Sequence, residues 1–215
     1  MIYGNSQIGE LAEFYFRTDS HHEVVAFAAD SEFLRNDEFC GLPVINYNEI
    51  CEKYPPQDYK VFVAYSYKKM NHLRAEKFYS VKKKGYTLVS YVSSRCTYLS
   101  DKPIGENCFI LEDNTIQPFV KIGNNITLWS GNHIGHDSQI SDHCYITSHV
   151  VVSGHVHIKP FCFIGVNVSL RDNITIAAES LVGAGAVIMN DTEEKGVYLP
   201  PKATKIDKIS SEIDL

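Results

Sequence analysis

His136 and Asp137 stand side by side in the segment Gly131-Asn132-His133-Ile134-Gly135-His136-Asp137-Ser138, and Gly154 and His155 follow eighteen residues later. An imidazole that titrates near neutral pH can take a proton from an attacking nucleophile. A neighbouring carboxylate can orient that ring, and a glycine leaves a backbone N–H open to a developing oxyanion. His133, His143, His149 and His157 share this stretch of chain, and most of them must be ordinary surface side chains. The grouping has chemical meaning only if eighteen residues is a structural period.

It is. From Ile104 every sixth residue is aliphatic through fifteen positions, by way of Ile110, Leu128, Ile134 and Val152 to Ile188. A second ladder, four residues after each rung, is mostly small or β-branched and includes Cys108, Cys144 and Cys162. Period six fits neither an α-helix nor an ordinary strand. It is the mark of a hexapeptide repeat, in which three hexads make one triangular turn of a parallel β-helix. Residues eighteen apart are then vertical neighbours about 5 Å apart. On this ruler His136 points outward near a corner with Gly154 one coil on, and Asp137 has His155 as its neighbour.

The first ninety-five residues follow another rule. Strand-like runs at Met1–Tyr3, Glu23–Ala29, Pro43–Ile45, Lys60–Tyr65 and Thr87–Val92 alternate with helical patterns. One helix carries Ile8, Leu11, Ala12, Phe14 and Tyr15 on its apolar face, with Asn5 or Ser6 as cap, and the other spans Tyr67 to Lys83 and closes at Gly85. The alternation predicts a small Rossmann-like parallel α/β domain over residues 1–95, a β-helix over 96–189 and a cap or tail over 190–215. Gly4-Asn5-Ser6-Gln7-Ile8-Gly9 joins the first strand to the first helix. It reads equally as a phosphate-approach loop or as a tight turn.

A net charge of −6 over 215 residues provides no electrostatic footprint for nucleic acid. No run approaches the ~20 apolar residues of a membrane span, and the N-terminus lacks signal-peptide character, so a cytoplasmic protein is expected. The three ladder cysteines should be buried, and all six cysteines reduced. Metal catalysis is not expected. Trimeric β-helix carbonic anhydrases pair histidines five apart, and no two histidines here have that spacing; His143, His149 and His155, six apart, fall on different faces.

An α/β domain followed by an uninterrupted hexapeptide β-helix, with Gly135-His136-Asp137-Ser138-Gln139-Ile140 at its heart, resembles the bacterial nucleotide-sugar N-acetyltransferases and the related sialic acid O-acetyltransferases. The resemblance runs over essentially the whole chain. It implies a left-handed β-helix, a homotrimer with active sites between subunits, acetyl-CoA in the groove between adjacent β-helices, and a nucleotide-sugar on the N-terminal domain. It makes His136 the general base, Asp137 its orienting acid and Gly154 the oxyanion donor, and it places Val166 and Ala184 along the acetyl-CoA groove. Tyr145 stands where the family often has a second histidine that contacts acetyl-CoA. Gly4, Asn5, Ser6 and Asp30 occupy the nucleotide-sugar positions, although Ile8 replaces a histidine, Asp30 is preceded by Ala29 rather than a second acid, and Pro200-Pro201-Lys202-Ala203 replaces a G-x-P-A-K element.

The reading that follows is acetyl transfer from acetyl-CoA to the amino group of a nucleotide-linked deoxyamino-sugar, as in surface-glycan biosynthesis. The amine attacks the thioester directly, with His136 as base and no metal. Cys144, on the interior ladder, is a poor nucleophile. The alternatives are O-acetylation of a sugar hydroxyl by the same base and a non-catalytic β-helix scaffold.

Overall fold

The computed structural model describes residues 1–207 and 209–213. The chain opens with β1 (Ile2–Tyr3), α1 (Gln7–Thr18), β2 (Phe27–Ala29), β3 (Glu38–Phe39), β4 (Leu42–Asn46), α2 (Ile50–Lys53), β5 (Phe62–Val63) and α3 (His72–Lys83). The strands lie in the order β3-β4-β2-β1-β5, parallel except for β3 at the edge. β3 escaped the sequence reading because a two-residue strand has no measurable alternation. Its hairpin turns through Cys40 and Gly41, both at positive φ.

Helix α1 packs Ile8, Leu11, Ala12 and Tyr15 against the core as expected, with Phe14 the exception. On α1, Ala12 and Phe16 are buried while Phe14 is 51% exposed. Two residues along a helix is a rotation of about 200°, so Phe14 cannot share a face with both. The helix expected from Tyr67 begins only at His72, because Lys69, Met70 and Asn71 all have positive φ. Side chains strain in that region, and a helix cannot pass through it. α3 then buries Arg74, Ala75, Phe78 and Val81, and Gly85 at φ +88° closes it, its N–H donating to the Lys82 carbonyl.

The expected fifth strand divides. Leu88 makes a single parallel bridge to Val61, whereas Tyr91–Val92 pairs with Phe109–Ile110 and so forms the first strand of the β-helix. From there three parallel sheets rise. The first runs from Tyr91–Val92 through Thr127–Leu128, Tyr145–Ile146 and Phe163–Ile164 to Val197–Tyr198. The second runs from Thr97–Tyr98 through His133–Ile134 and Val151–Val152 to Val187–Ile188, and the third from Lys121–Ile122 to Thr175–Ile176. Register is eighteen from coil to coil, as in Gln139 opposite His157, and drops to sixteen only at the last pairing, Leu181 opposite Val197. The aliphatic rungs form one continuous core, and Val197–Tyr198 extends the first sheet beyond the last hexad.

A third ladder governs the corners. Every sixth residue from Asn107 to Gly185 has positive φ, including Asp137, His143, His149 and His155. Asn, Asp, His and Gly tolerate that region best, and they fill most of these sites; Phe119, Phe161 and Glu179 are held there by the repeat itself. All six cysteines are free. The three on the inner ladder bond identically: the thiols of Cys108, Cys144 and Cys162 each donate to a carbonyl fifteen residues ahead, at 3.1 Å.

The first sheet is covered by the N-terminal domain. Arg74 of α3 is 2% exposed; its guanidinium donates to the Thr127 hydroxyl and to the Cys144 carbonyl at 3.0 Å, and its Nε finds no partner among the described residues. Asn107 clasps β5, accepting from Val63 N–H at 2.7 Å and donating to the Val63 carbonyl at 3.2 Å. The Asn107 amide continues to Asn125, then to His143 Nδ1 and, through Nε2, to the Tyr79 hydroxyl of α3. Since Asn125 uses its oxygen for Asn107, its NH₂ donates to Nδ1, which makes the His143 proton sit on Nε2. Tyr15 of α1 adds a bond to Glu112 at 2.7 Å.

Candidate active site

Three corners separate the sheets, and the site residues divide between two of them. His136 and Gly154 lie on the corner between the second and third sheets, each two residues beyond a second-sheet strand. Val166 and Ala184 lie on the corner between the first and second sheets, each two residues beyond a first-sheet strand, and both are exposed. Within one chain the whole second sheet stands between the two groups.

At its corner, His136 is held from three sides. Its backbone N–H donates to Gln117 Oε1 at 2.9 Å, its Nδ1 meets Asp137 Oδ2 at 2.9 Å, and its carbonyl accepts from His155 N–H at 2.9 Å. The ring itself lies over Gly154, where a Cβ would stand 2.8 Å from Nε2. With Nδ1–H directed to the carboxylate, Nε2 carries the lone pair and makes no hydrogen bond among the described residues. The Gly154 N–H has no acceptor among the described residues. Gly135 makes this packing possible, because a Cβ on it would lie 2.6 Å from the Gly154 nitrogen. The structure therefore brings His136, Asp137 and Gly154 together around one exposed ring nitrogen, an arrangement suited to proton abstraction beside an amide donor.

Tyr145 is not part of that corner. It faces the N-terminal domain from the first sheet, 3% exposed, packed against Tyr67 and Phe163 with its hydroxyl accepting from Trp129 Nε1 at 2.6 Å. Burial raises its phenol further above the ordinary range.

A second cavity opens at the carboxyl ends of β1 and β5, where the sheet order reverses direction. It is a crevice of about 380 Å³ lined by Gly4, Asn5, Ser6, Phe33, Arg35 and Lys68, among others. Strand-order reversal is where open α/β sheets bind ligands. The glycines have a structural task as well: a Cβ on Gly9 would fall 2.0 Å from the Gly4 carbonyl oxygen, and Gly4 has φ +129°. Ser6 lines the crevice and occupies the cap position of α1 without a side-chain cap bond, so the first-turn N–H groups lack that partner. Asp30 lies behind it, accepting from Tyr3, Tyr65 and Lys77. Burial would raise the Asp30 carboxyl, but the Lys77 and Tyr3 hydrogen bonds outweigh it and hold the group below its usual range.

No protein-family model matches the chain. In sequence, 70 residues are 31% identical to the acyl-[acyl-carrier-protein]–UDP-N-acetylglucosamine O-acyltransferase of Pseudomonas aeruginosa, a match over 33% of this chain and 27% of that enzyme. The chain thus spans about a quarter of the length of that relative. In structure the likeness covers nearly everything. The acetyltransferase domain of PglB from Neisseria gonorrhoeae superimposes with a TM-score of 0.81 at 18% identity, over 93% of this chain and 95% of that one. The perosamine N-acetyltransferase PerB of Caulobacter crescentus, in complex with CoA and GDP-perosamine, gives 0.80 at 20% identity over 93% and 92%. WeeI of Acinetobacter baumannii gives 0.76 at 23% identity over 91% and 93%.

The chain has the fold of the sugar N-acetyltransferases.

Three residues around the acetyltransferase-fold corner escaped the sequence reading of the site. Gln117 and Gly135 are themselves eighteen apart, and the ruler that paired His136 with Gly154 pairs them too. His155 was noted only as a neighbour of Asp137. Its ring packs edge-on against His136 with centroids 5.1 Å apart, and its Nε2 lies 4.0 Å from Asp137 Oδ2. No helix among the described residues is long and apolar enough to cross a membrane.

Proposed function

We propose that this chain is an acetyl-CoA-dependent N-acetyltransferase acting on the amino group of a nucleotide-linked deoxyamino-sugar. The observation that carries the reading is His136: Nδ1 tied to Asp137, Nε2 free, and the ring packed against the backbone of Gly154, whose N–H has no acceptor among the described residues. The free amine attacks the thioester carbonyl. His136 Nε2 takes the proton released as the C–N bond forms, Gly154 N–H stabilises the oxyanion, and collapse expels the CoA thiolate, which is reprotonated. Cys144 is left out of this chemistry: it is fully buried and burial raises its thiol.

The co-substrate groove contains Val166 and Ala184. Because these lie one corner away from His136, the reading includes a homotrimer in which the groove of one copy faces the His136 corner of the next. Tyr145, buried on the first sheet, is given no part in it. The nucleotide belongs in the crevice at Gly4, Asn5 and Ser6. There Arg35 and Lys68 supply charge for a diphosphate, and the start of α1 supplies N–H groups. Asp30 acts through Tyr3, Tyr65 and Lys77 in shaping the crevice floor. This N-terminal unit is read as Rossmann-like, the β-helix as left-handed, and the protein as cytoplasmic.

Support for the substrate class comes from the nucleotide amino-sugar held by PerB. The sequence relative is an O-acyltransferase, which favours as a second reading the same base acting on a sugar hydroxyl. A thiol-release assay with acetyl-CoA over GDP-, UDP- and dTDP-linked amino-sugars, each beside its hydroxy analogue, decides between them. Turnover of an amino-sugar that falls about 10²–10⁴-fold in His136→Ala supports the proposal. Full turnover in His136→Ala sinks it.

A further inference from the structure

Asp137 sits between two imidazoles. Its Oδ2 is 2.9 Å from His136 Nδ1 and 4.0 Å from His155 Nε2, and one ligand atom from each residue can be chosen so that all three lie within 4.8 Å of one another. All three side chains are about half exposed, at 53%, 41% and 52%. They therefore have room to rotate by the ångström or so that convergence needs. Tetrahedral zinc binds His nitrogen and Asp oxygen at about 2.0–2.2 Å, which sets its ligands roughly 3.3–3.5 Å apart. The two spacings to Asp137 fall on either side of that value, and the two imidazole nitrogens lie within 4.8 Å of each other. Two imidazoles and one carboxylate suit zinc and disfavour the all-oxygen cations magnesium and calcium.

We propose that His136, Asp137 and His155 form a zinc site whose filling blocks the base. The block follows from the tautomer. In the working arrangement His136 Nδ1 carries the proton and Nε2 the lone pair. Zinc bound to Nδ1 requires the lone pair there, so the proton passes through solvent to Nε2 and no net proton is lost. The nitrogen above Gly154 then carries a hydrogen and cannot accept one from an amine. Three protein ligands leave the fourth zinc position to water. The two histidines are nineteen apart and lie on consecutive coils, a separation that the five- and six-residue spacings of metal motifs overlook.

The existence of the site does not depend on the acyl-transfer reading, whereas the block rests on it, and two measurements separate them. Titration of the whole protein with zinc chloride by calorimetry, with no substrate present, tests the site. One tight zinc per chain is expected, weakened more than about 100-fold in His155→Gln, since losing a ligand costs more than losing a ligand's outer hydrogen-bond partner, and unchanged in His157→Gln, which lies on the third sheet. Equal affinity in wild type and His155→Gln overturns the site, and so does a loss shared by His157→Gln. Acetyl transfer measured against zinc concentration tests the block. The zinc needed for half-inhibition should rise more than about 100-fold in His155→Gln, in step with the lost affinity. Zinc bound at this trio with undiminished turnover overturns it.

Discussion

The backbone of Gly154 lies directly under the imidazole of His136, so close that a Cβ at Gly154 would stand 2.8 Å from Nε2 and 2.9 Å from Cε1. No positive φ is required at this glycine. The fold needs the small residue less than the ring does. Gly154→Ala should therefore fold with an unchanged melting temperature while its turnover drops about 10²-fold, the cost of moving a catalytic group by about 1 Å. Calorimetry and kcat on the same sample check both halves. A large stability loss would mean that Gly154 serves the coil instead.

Asp137 has two jobs, since it turns the corner at φ +58° and binds His136 Nδ1 at 2.9 Å. Asparagine tolerates the left-handed region as well as aspartate does. Asp137→Asn should keep the fold yet cost on the order of 10²-fold in kcat, because its amide does not hold the ring in one tautomer with a charge. Asp137→Ala should lose stability in addition. Equal kcat in Asp137→Asn and wild type would remove Asp137 from the mechanism.

His143 is 2% exposed and works only as the neutral ring, accepting at Nδ1 from Asn125. Burial lowers its folded pKa to about 4 from the usual 6.5, with the Arg74 charge acting in the same direction and Asp142 opposing. The unfolded chain therefore takes up this proton first as pH falls. His143 is neutral in both states above about pH 6.5, and stability declines from there until the folded ring protonates near pH 4. The loss attributable to this one group is about 3 kcal/mol at most. Urea denaturation at pH 7 and at pH 4.5 should show a smaller difference for His143→Asn, which extends the Asn107–Asn125 ladder, than for wild type. His22 and His157 are lowered by burial too, so the comparison between proteins is the measurement, not the slope of either alone.

Arg74 fastens α3 to the β-helix without a carboxylate partner among the described residues. The Cys144 carbonyl also accepts from Thr127 N–H, so it keeps a bond when the guanidinium goes. The packing volume is harder to replace than the charge. Arg74→Ala should cost about 2–5 kcal/mol through the cavity it leaves. Arg74→Met should lie within about 1 kcal/mol of wild type, since an apolar side chain of similar length removes a buried charge. Equilibrium urea unfolding ranks the three. A methionine variant as unstable as the alanine one would show that the hydrogen bonds dominate.

Arg35 and Lys68 line the crevice without an ion-pair partner among the described residues. If the crevice holds a diphosphate, Lys68→Ala should raise KM for the nucleotide-sugar about tenfold, the worth of one hydrogen bond to a charged group. kcat should be little changed, and KM for acetyl-CoA unaltered. A rise in the acetyl-CoA KM alone would place the nucleotide elsewhere.

Sequence by itself determined the β-helix. Period six is a property of side-chain types along the chain, and each coil buries its rung against the coil before it, so register is fixed locally and repeats without knowledge of anything distant. For the same reason the proximity of His136 to Gly154, and of Asp137 to His155, was readable as arithmetic. Only the tertiary structure decided which face the N-terminal domain would cover. That choice rests on Arg74, Asn71 and Tyr79 meeting Thr127, Cys162 and His143 across gaps of more than fifty residues, contacts that no period encodes. It turned α3 so that Arg74 faces inward, divided the strand around Leu88 and Tyr91 between two sheets, and buried Tyr145.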